Sequence, residues 1–460
     1  GLVTTVDLLF GAGDTEGIDF TTPPPAQVIF AANELTAEVV FTIFNDDIVE
    51  LDEQFTLTID TVDNGTKTDG LIDDGLGGFL TVFDQTTITI VDDDTATITF
   101  IETDLTVAED VATGYVEYTV HISNAVENDV QFFVTSADGT SLVVDNASDE
   151  NTDNDYTSVN ELVTFTNSIT PAADQTFQVF ITDDNKLELD EIFNLYMNTL
   201  TAGGLESKIT LGSPVSNPAQ VTITDEDTAV ISFVSDDLSV TEDNGATVTF
   251  NIQIDDGSGG AITLAKDVSF SVSTADGTSI VDRNATVADN DYTAKTEQFT
   301  FAGSADADLA TGIQNFVITI NNDDKLELDE VFNVFMSQLA ANGLDSKITL
   351  SHPITEPDSN NWAQATITDE LDTANITFLN SNITVNEQAG AIALLTVQID
   401  KAIAENVSFD LFTQDGTATD QLTDDDYSSD RQTFTFLGTP DTDVVPGVKT
   451  FVVNITNDNK

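Results

Sequence analysis

An acidic phrase returns along this chain at a nearly fixed interval, and that repetition constrains the fold more than any other feature. It reads Asp183-Asp184-Asn185-Lys186-Leu187-Glu188-Leu189-Asp190-Glu191, then Asn322-Asp323-Asp324-Lys325-Leu326-Glu327-Leu328-Asp329-Glu330. A third copy stands at Asn45-Asp46-Asp47-Ile48-Val49-Glu50-Leu51-Asp52-Glu53, and a fourth begins at Asn457-Asp458-Asn459-Lys460. The step is 138 residues from Glu50 to Glu188 and 139 from Glu188 to Glu327. A fixed period means one structural unit used again and again. Each copy also gathers carboxylates that repel one another in water. The pairing of repeat and acid cluster predicts a cation-bound array rather than an enzyme.

The 460 residues make about three and a half such units, each large enough to bury its own core. Domains are expected at 1–94, 95–227, 228–372 and 373–460, the first incomplete at its N-terminus and the last at its C-terminus. Since the register places both ends inside a unit, and the chain begins at Gly1, a segment of a longer protein is expected, with targeting and anchoring parts elsewhere. There are 82 acidic residues against 12 basic ones, a formal charge of -70. Such a surface repels nucleic acid and anionic membranes and attracts cations. The hydrophobic fraction of 40% separates the chain from disordered acidic tails. Cysteine is absent, which removes disulfides, thiolate metal sites and cysteine nucleophiles together. No apolar run approaches the roughly 20 residues of a membrane span.

The hydrophobic period is two, the strand signature. Val248, Phe250, Ile252 and Ile254 alternate with Thr247, Thr249, Asn251 and Gln253. An alternating triplet precedes each acidic phrase: Val39/Phe41/Ile43, Phe177/Val179/Ile181, Phe316/Ile318/Ile320 and Phe451/Val453/Ile455. Another follows it: Phe55/Leu57/Ile59, Phe193/Leu195/Met197 and Phe332/Val334/Met336. The phrase therefore joins two half-buried strands at one end of a sheet. Many short strands with Gly, Asp and Asn turns predict an all-β tandem array of sandwiches.

Further landmarks recur. A turn reads Ala137-Asp138-Gly139-Thr140, Ala275-Asp276-Gly277-Thr278 and Gln414-Asp415-Gly416-Thr417. An Asp-aromatic pair stands at Asp19-Phe20, Asp155-Tyr156, Asp291-Tyr292 and Asp426-Tyr427. Units close on Asp92-Asp93-Asp94, Asp225-Glu226-Asp227 and Asp369-Glu370-Leu371-Asp372, and the next strand leads to Glu109, Glu242 or Glu387. No Gly/Ser or Pro linker intervenes, so neighbouring units are expected to abut.

Together these landmarks resemble the Calx-β repeat family: a strand ending in Glu, an Asp-Gly-Thr turn, an Asp-Tyr pair, an Asp-Asp-x-x-x-Glu-x-x-Glu loop and closing acids. The resemblance covers essentially the whole chain. It implies immunoglobulin-like sandwiches joined end to end, with Ca2+ at one end of each, near the next domain. The ligands it implies are Asp19, Asp46, Glu50, Glu53, Asp92, Asp93 and Asp94 in the first unit. In the second they are Glu109, Asp155, Asp183, Asp184, Glu188, Glu191, Asp225 and Asp227. The third has Glu242, Asp291, Asp323, Glu327, Glu330 and Asp369, with Asn322 replacing an acid, and the fourth has Glu387, Asp426 and Asp458. Ca2+ takes six to eight oxygens from carboxylates and carbonyls on flexible loops, and eight carboxylates in one unit exceed what one ion can use. The competing reading is a solvated acidic face, which many Asp and Glu of so acidic a chain must be.

The family occurs in sodium–calcium exchangers and in long extracellular proteins, including bacterial surface adhesins. The resemblance therefore implies a calcium-stiffened stalk or filament segment of an extracellular, cell-surface adhesin, with gliding motility as one setting. Its partners are neighbouring repeats of the same chain, and surface or host ligands reached through parts outside this segment. The alternative is a calcium sensor. A third reading, halophilic acidity, predicts acid spread evenly over exposed faces. His121 and His352 are the only histidines and occupy non-equivalent positions, so neither a zinc site nor a Ser-His-Asp triad recurs with the repeat. Asp94-Thr95-Ala96, Asp227-Thr228-Ala229 and Asp372-Thr373-Ala374 look like an O-glycosylation sequence, with simple junction residues as the favoured reading.

Overall fold

The computed structural model describes residues 2–11, 27–73, 76–139, 145–149, 154–213, 217–277, 283–287, 290–305, 307–352, 362–369, 372–440 and 442–457. The regular elements among them are β-strands, apart from one 3-10 turn at Leu344–Ser346. The chain divides into two compact units, 1–184 with 190–226, and 185–189 with 227–460.

In the first unit the second repeat is a sandwich. One sheet runs in the order Gln175–Phe180, Tyr115–Ile122, Ala96–Phe100, Ile209–Leu211. The other runs Asn160–Phe165, Val130–Asp138, Glu191–Thr201, Ala219–Thr224, Asp104–Ala108. Alternation buries Tyr118, Val120 and Val179 from one sheet against Phe132, Val134 and Leu195 from the other. Strand side chains point to opposite faces in turn, so a period of two supplies exactly one apolar face per sheet. The first repeat contributes a four-stranded sheet in the order Gln27–Phe30, Thr4–Gly11, Glu53–Asp63, Gln85–Ile90, and a two-stranded one of Gly70–Asp73 with Phe79–Val82.

The second unit repeats the sandwich. Gln314–Thr319, Thr247–Asp255, Ala229–Phe233 and Ile348–Leu350 form one sheet, and Asp237–Thr241, Ala363–Thr368, Glu330–Ala340, Val268–Ala275 and Thr296–Phe301 the other. Phe250, Phe316, Phe270 and Phe332 meet between them. The fourth repeat has Ile376–Phe378, Ile392–Ile399 and Lys449–Asn454 in one sheet, and pairs Val407–Phe412 with Arg431–Phe436.

Two expected strands are corrected. Residues 39–43, with Val39 and Phe41, form no strand beyond a bridge at Ile43. The equivalent strands Gln175–Phe180, Gln314–Thr319 and Lys449–Asn454 pair with Tyr115–Ile122, Thr247–Asp255 and Ile392–Ile399; the described first repeat holds no such partner. Likewise Thr384–Glu387 is not a strand. Its counterparts Asp104–Ala108 and Asp237–Thr241 are edge strands that pair in parallel with Ala219–Thr224 and Ala363–Thr368, and no equivalent pairs with residues 384–387. Alternation marks a face, but backbone N–H and C=O groups need a neighbour to become a ladder.

The acidic phrase does more than turn a corner. Within the first unit Ile48–Val49 pairs in parallel with Ala125–Val126, and Val49 is wholly buried in the second repeat's core. Within the second unit Lys186–Leu187 pairs with Thr263–Leu264, and Leu187 lies in the third repeat's core. Leu326 forms the same parallel bridge with Ile403 and packs on the core of the fourth repeat. One further leucine of the phrase settles on a glycine. An added Cβ at Gly204 would stand 3.2 Å from Leu51, and one at Gly343 would stand 3.3 Å from Leu189. Both glycines have positive φ, 110° and 108°, so a larger residue there meets strain as well as crowding.

Candidate metal centres

The recurring landmarks position the acids. The Asp-Gly-Thr turn and the Asp-Tyr pair are two ends of one link. Tyr156 Oη donates to Asp138 Oδ1 at 3.0 Å, Tyr292 to Asp276 at 2.8 Å and Tyr427 to Asp415 at 2.7 Å. The Tyr156 ring stacks on Phe193 at 4.1 Å, and Tyr292 on Phe332 at 4.4 Å. The carboxylate just before each tyrosine is thereby fixed. Asp155 Oδ2 accepts from the Ser148 amide, Asp291 from that of Thr286 and Asp426 from that of Thr419.

The strand-ending glutamates act alike. Glu109 Oε1 accepts from the Asp184 amide at 2.8 Å and Glu242 Oε1 from the Asp323 amide at 2.9 Å. The closing acids hold the phrase from the other side: Glu50 N donates to Asp92 at 2.9 Å and Glu327 N to Asp369 at 3.2 Å. Asp46 and Asp323 cap the phrase internally, through Ile48 N and Lys325 N. Much of the expected ligand set is therefore loop scaffold whatever else it does.

Three groups stand out. In the third repeat Asp291, Glu327 and Glu330 each place a carboxylate oxygen within 4.8 Å of the others. Asp291 and Glu330 are each 4% exposed. Burial first, then the opposing pull of Lys325 and the push of Asp291 and Asp323, leaves the Glu327 carboxyl at about 7. Burial, then Asp291 and Glu327, raises Glu330 further. In the second repeat Glu109, Asp225 and Glu226 converge within the same 4.8 Å; burial is the first cause of the upward shift of Glu226. In the first repeat Asp46, Glu50, Glu53, Asp92, Asp93 and Asp94 line one cleft. There, burial and then Asp92, Asp93, Asp47 and Asp46 raise Asp94.

Of the remaining expected ligands, Asp155 and Glu191 are buried in the first unit, and Glu188 is buried on the segment 185–189. Asp183 is exposed, while Asp184 and Asp227 are half-buried. Glu387 is exposed and lines a cleft with Asp426. Asp19 and Asp458 lie outside the described residues. Two kinds of residue were missed in the sequence. Glu226 is absent from the ligand set that the resemblance implies, which takes only Asp225 and Asp227 from this closing run. Lys186 and Lys325 are each 1% exposed at the side chain and sit 3.1 Å from Glu188 and 2.7 Å from Glu327. Their signal was present: a lysine twice inside an acid run, in a chain with only 12 basic residues.

The donor set can be tested against a cation. It is all carboxylate oxygen, the chemistry of Ca2+ or Mg2+ rather than of zinc or copper. Carboxylates about 4 Å apart repel by roughly 4 kcal/mol at the effective dielectric of a protein site, and that repulsion adds to burial, the larger cause, in raising Glu327 and Glu330. Three carboxylates and one lysine leave two negative charges, which one divalent ion balances. The third-repeat group therefore fits a divalent cation held by Asp291, Glu327 and Glu330.

Among solved structures the chain is similar to the calcium binding domain CBD12 of CALX1.1, at 16% identity over 59% of this chain and 99% of that one, TM-score 0.23. The apo form of the Calx CBD1 domain matches at 20% identity over 31% of this chain and 99% of that one, TM-score 0.22. Protocadherin gamma B7 extracellular cadherin domains 1–4 match at 10% identity over 98% and 92%, TM-score 0.26. No curated protein matches. No helix among the described residues is long and apolar enough to cross a membrane. The Calx-beta domain family matches residues 3–94, 91–227, 225–371 and 369–460, and this chain, built of four such domains in tandem, belongs to that family.

Proposed function

We propose that this chain is a calcium-stiffened stalk or filament segment of a large extracellular, cell-surface bacterial adhesin, with gliding motility as one setting. Ca2+ binds at the recurring acid clusters, and the boundaries after 94, 227 and 372 separate the repeats. The segment is structural and carries no catalysis. One observation supports this reading above others. The phrase that supplies Glu327 and Glu330 to the buried group also supplies Leu326, which pairs with Ile403 of the following repeat. A cation that orders the phrase thus orders the joint. A sensor would need an element with two arrangements, and the repeats present the same docking three times over.

The test is small-angle scattering of the chain, paired with calorimetry, in Ca2+ and in chelator at constant ionic strength. The stalk reading expects saturable Ca2+ binding and a longer, narrower distance distribution with the ion. A distribution indifferent to bound Ca2+ would defeat it.

A further inference from the structure

The lysine of the acidic phrase has a reach that the family pattern does not account for. Lys325 Nζ lies 2.7 Å from Glu327 Oε1 and donates to Pro440 O, in the fourth repeat, at 3.0 Å. Lys186 Nζ lies 3.1 Å from Glu188 Oε1 and donates to Ala305 O, in the third repeat, at 3.0 Å. Both side chains are 1% exposed. A buried ammonium is tolerated only with a charge partner and filled donor sites. Each of these finds the charge in its own acidic phrase and the acceptor on the backbone of the repeat being docked. The surrounding contacts repeat as well. Leu326 N donates to Ala402 O at 3.1 Å and Ala404 N to Leu326 O at 3.0 Å. Thr263 N donates to Asn185 O, and Ala265 N to Leu187 O, at 3.1 Å each.

We propose that Lys325, and Lys186 by the same geometry, are positioning residues that couple the state of the acidic phrase to the docking of the next repeat. Glu327 is shared: its carboxylate stands both in the group with Asp291 and Glu330 and against Lys325. A divalent cation drawn to that group fixes Glu327. Glu327 fixes the ammonium, and the ammonium holds the loop that carries Pro440. Coupling is reciprocal, so docking of the fourth repeat raises the cation affinity of the third. The first repeat carries Ile48 at this place and lacks the device. This inference rests on the calcium reading above.

Hydrogen exchange on the whole chain tests it, read at the amides of Leu326 and Ala404, with strand Thr247–Asp255 as the internal control of folding. Ca2+ should slow exchange at both amides by about tenfold over chelator, the scale of an ordinary coupling. In Lys325→Met and Lys325→Gln that ratio should fall to near one while the control strand stays protected. Gln keeps a neutral polar donor but cannot pair with Glu327 by charge, so together with Met it separates the loss of charge from the loss of polarity. An undiminished Ca2+ effect in Lys325→Gln overturns the coupling alone. So does a wild-type chain that binds Ca2+ in calorimetry with no change at these amides. A wild-type chain that binds no Ca2+ overturns the coupling and the calcium reading together.

Discussion

In the third repeat the acidic phrase brings its own cation, with Lys325 buried beside Glu327. In the first, Ile48 stands at that place and the ammonium arrives from the second repeat, where Lys208 Nζ contacts Asp92 Oδ2 at 2.6 Å and Asp92 O at 2.7 Å. Both phrases dock by the same parallel pairing. Docking needs only an extended backbone and an apolar side chain, Val49 or Leu326, to enter the next core. Charge compensation is a separate requirement, and it is met from whichever side of the joint can reach. The lysines also differ in burial: Lys325 is 1% exposed at the side chain and Lys208 20%.

The largest difference should appear on removing each lysine. Lys325→Met leaves a buried carboxylate without its partner, a loss of about 3–5 kcal/mol in the second unit. Lys208→Met removes a better-hydrated pair and should cost less. Denaturant melts compare them, and equal losses would break the distinction drawn from burial.

Next is the cation itself. A ligand that binds only the folded state adds about 2.7 kcal/mol at a hundredfold excess over Kd. Thermal melts in chelator and in millimolar Ca2+ should differ accordingly. NaCl matching the effect of Ca2+ would instead favour acidity as a means of hydration.

At the level of single residues, Glu330→Gln should remove or weaken a Ca2+ in calorimetric titration. Asp63→Asn, exposed and outside the recurring groups, should leave the titration unchanged. Similar losses from both would sink the assignment of the third-repeat group.

The pH dependence in chelator should run opposite to that of most carboxylates. Glu327 is raised in the folded chain to about 7, and Glu330 is raised too. The native state therefore holds more protons than the unfolded one above the ordinary glutamate range. Stability should fall as pH climbs through that window toward and past 7. With Ca2+ present the carboxylates are held ionised and the fall should disappear. Melts at pH 5 and pH 8, with and without Ca2+, decide this.

The smallest effect concerns Asn322, which stands where the second repeat has Asp183. Affinity in such loops follows ligand charge, so Asn322→Asp should tighten Ca2+ binding a few-fold. Calorimetry showing no gain would mean that this position faces solvent, as the exposed Asp183 does.

Much of the site was legible because it recurs. Glu109, Glu242, Asp155 and Asp291 stood out as periodic acids, and each proves to be held by a backbone amide in the same way in its repeat. Glu226 was not legible, since only the folded chain brings it beside Glu109, more than a hundred residues earlier. The Asp-Gly-Thr turn looked like a bare turn. Its aspartate is the acceptor for a buried tyrosine 12 to 18 residues on, a distance no local pattern spans.

The sequence by itself determined the repeat, the strand period, the sandwich core and the position of the acids, because each follows from local spacing and side-chain alternation. Tertiary structure alone decided which alternating segments are strands, since residues 39–43 carry the pattern and form no ladder beyond the bridge at Ile43. It also decided that Val49, Leu187 and Leu326 serve the core of the repeat after their own in sequence. Finally it decided that two lysines inside an acid run are buried rather than solvated. Those outcomes depend on what stands across a joint from each side chain, and the free energy of burying a charge or pairing a backbone is set by that neighbour, which no residue encodes alone.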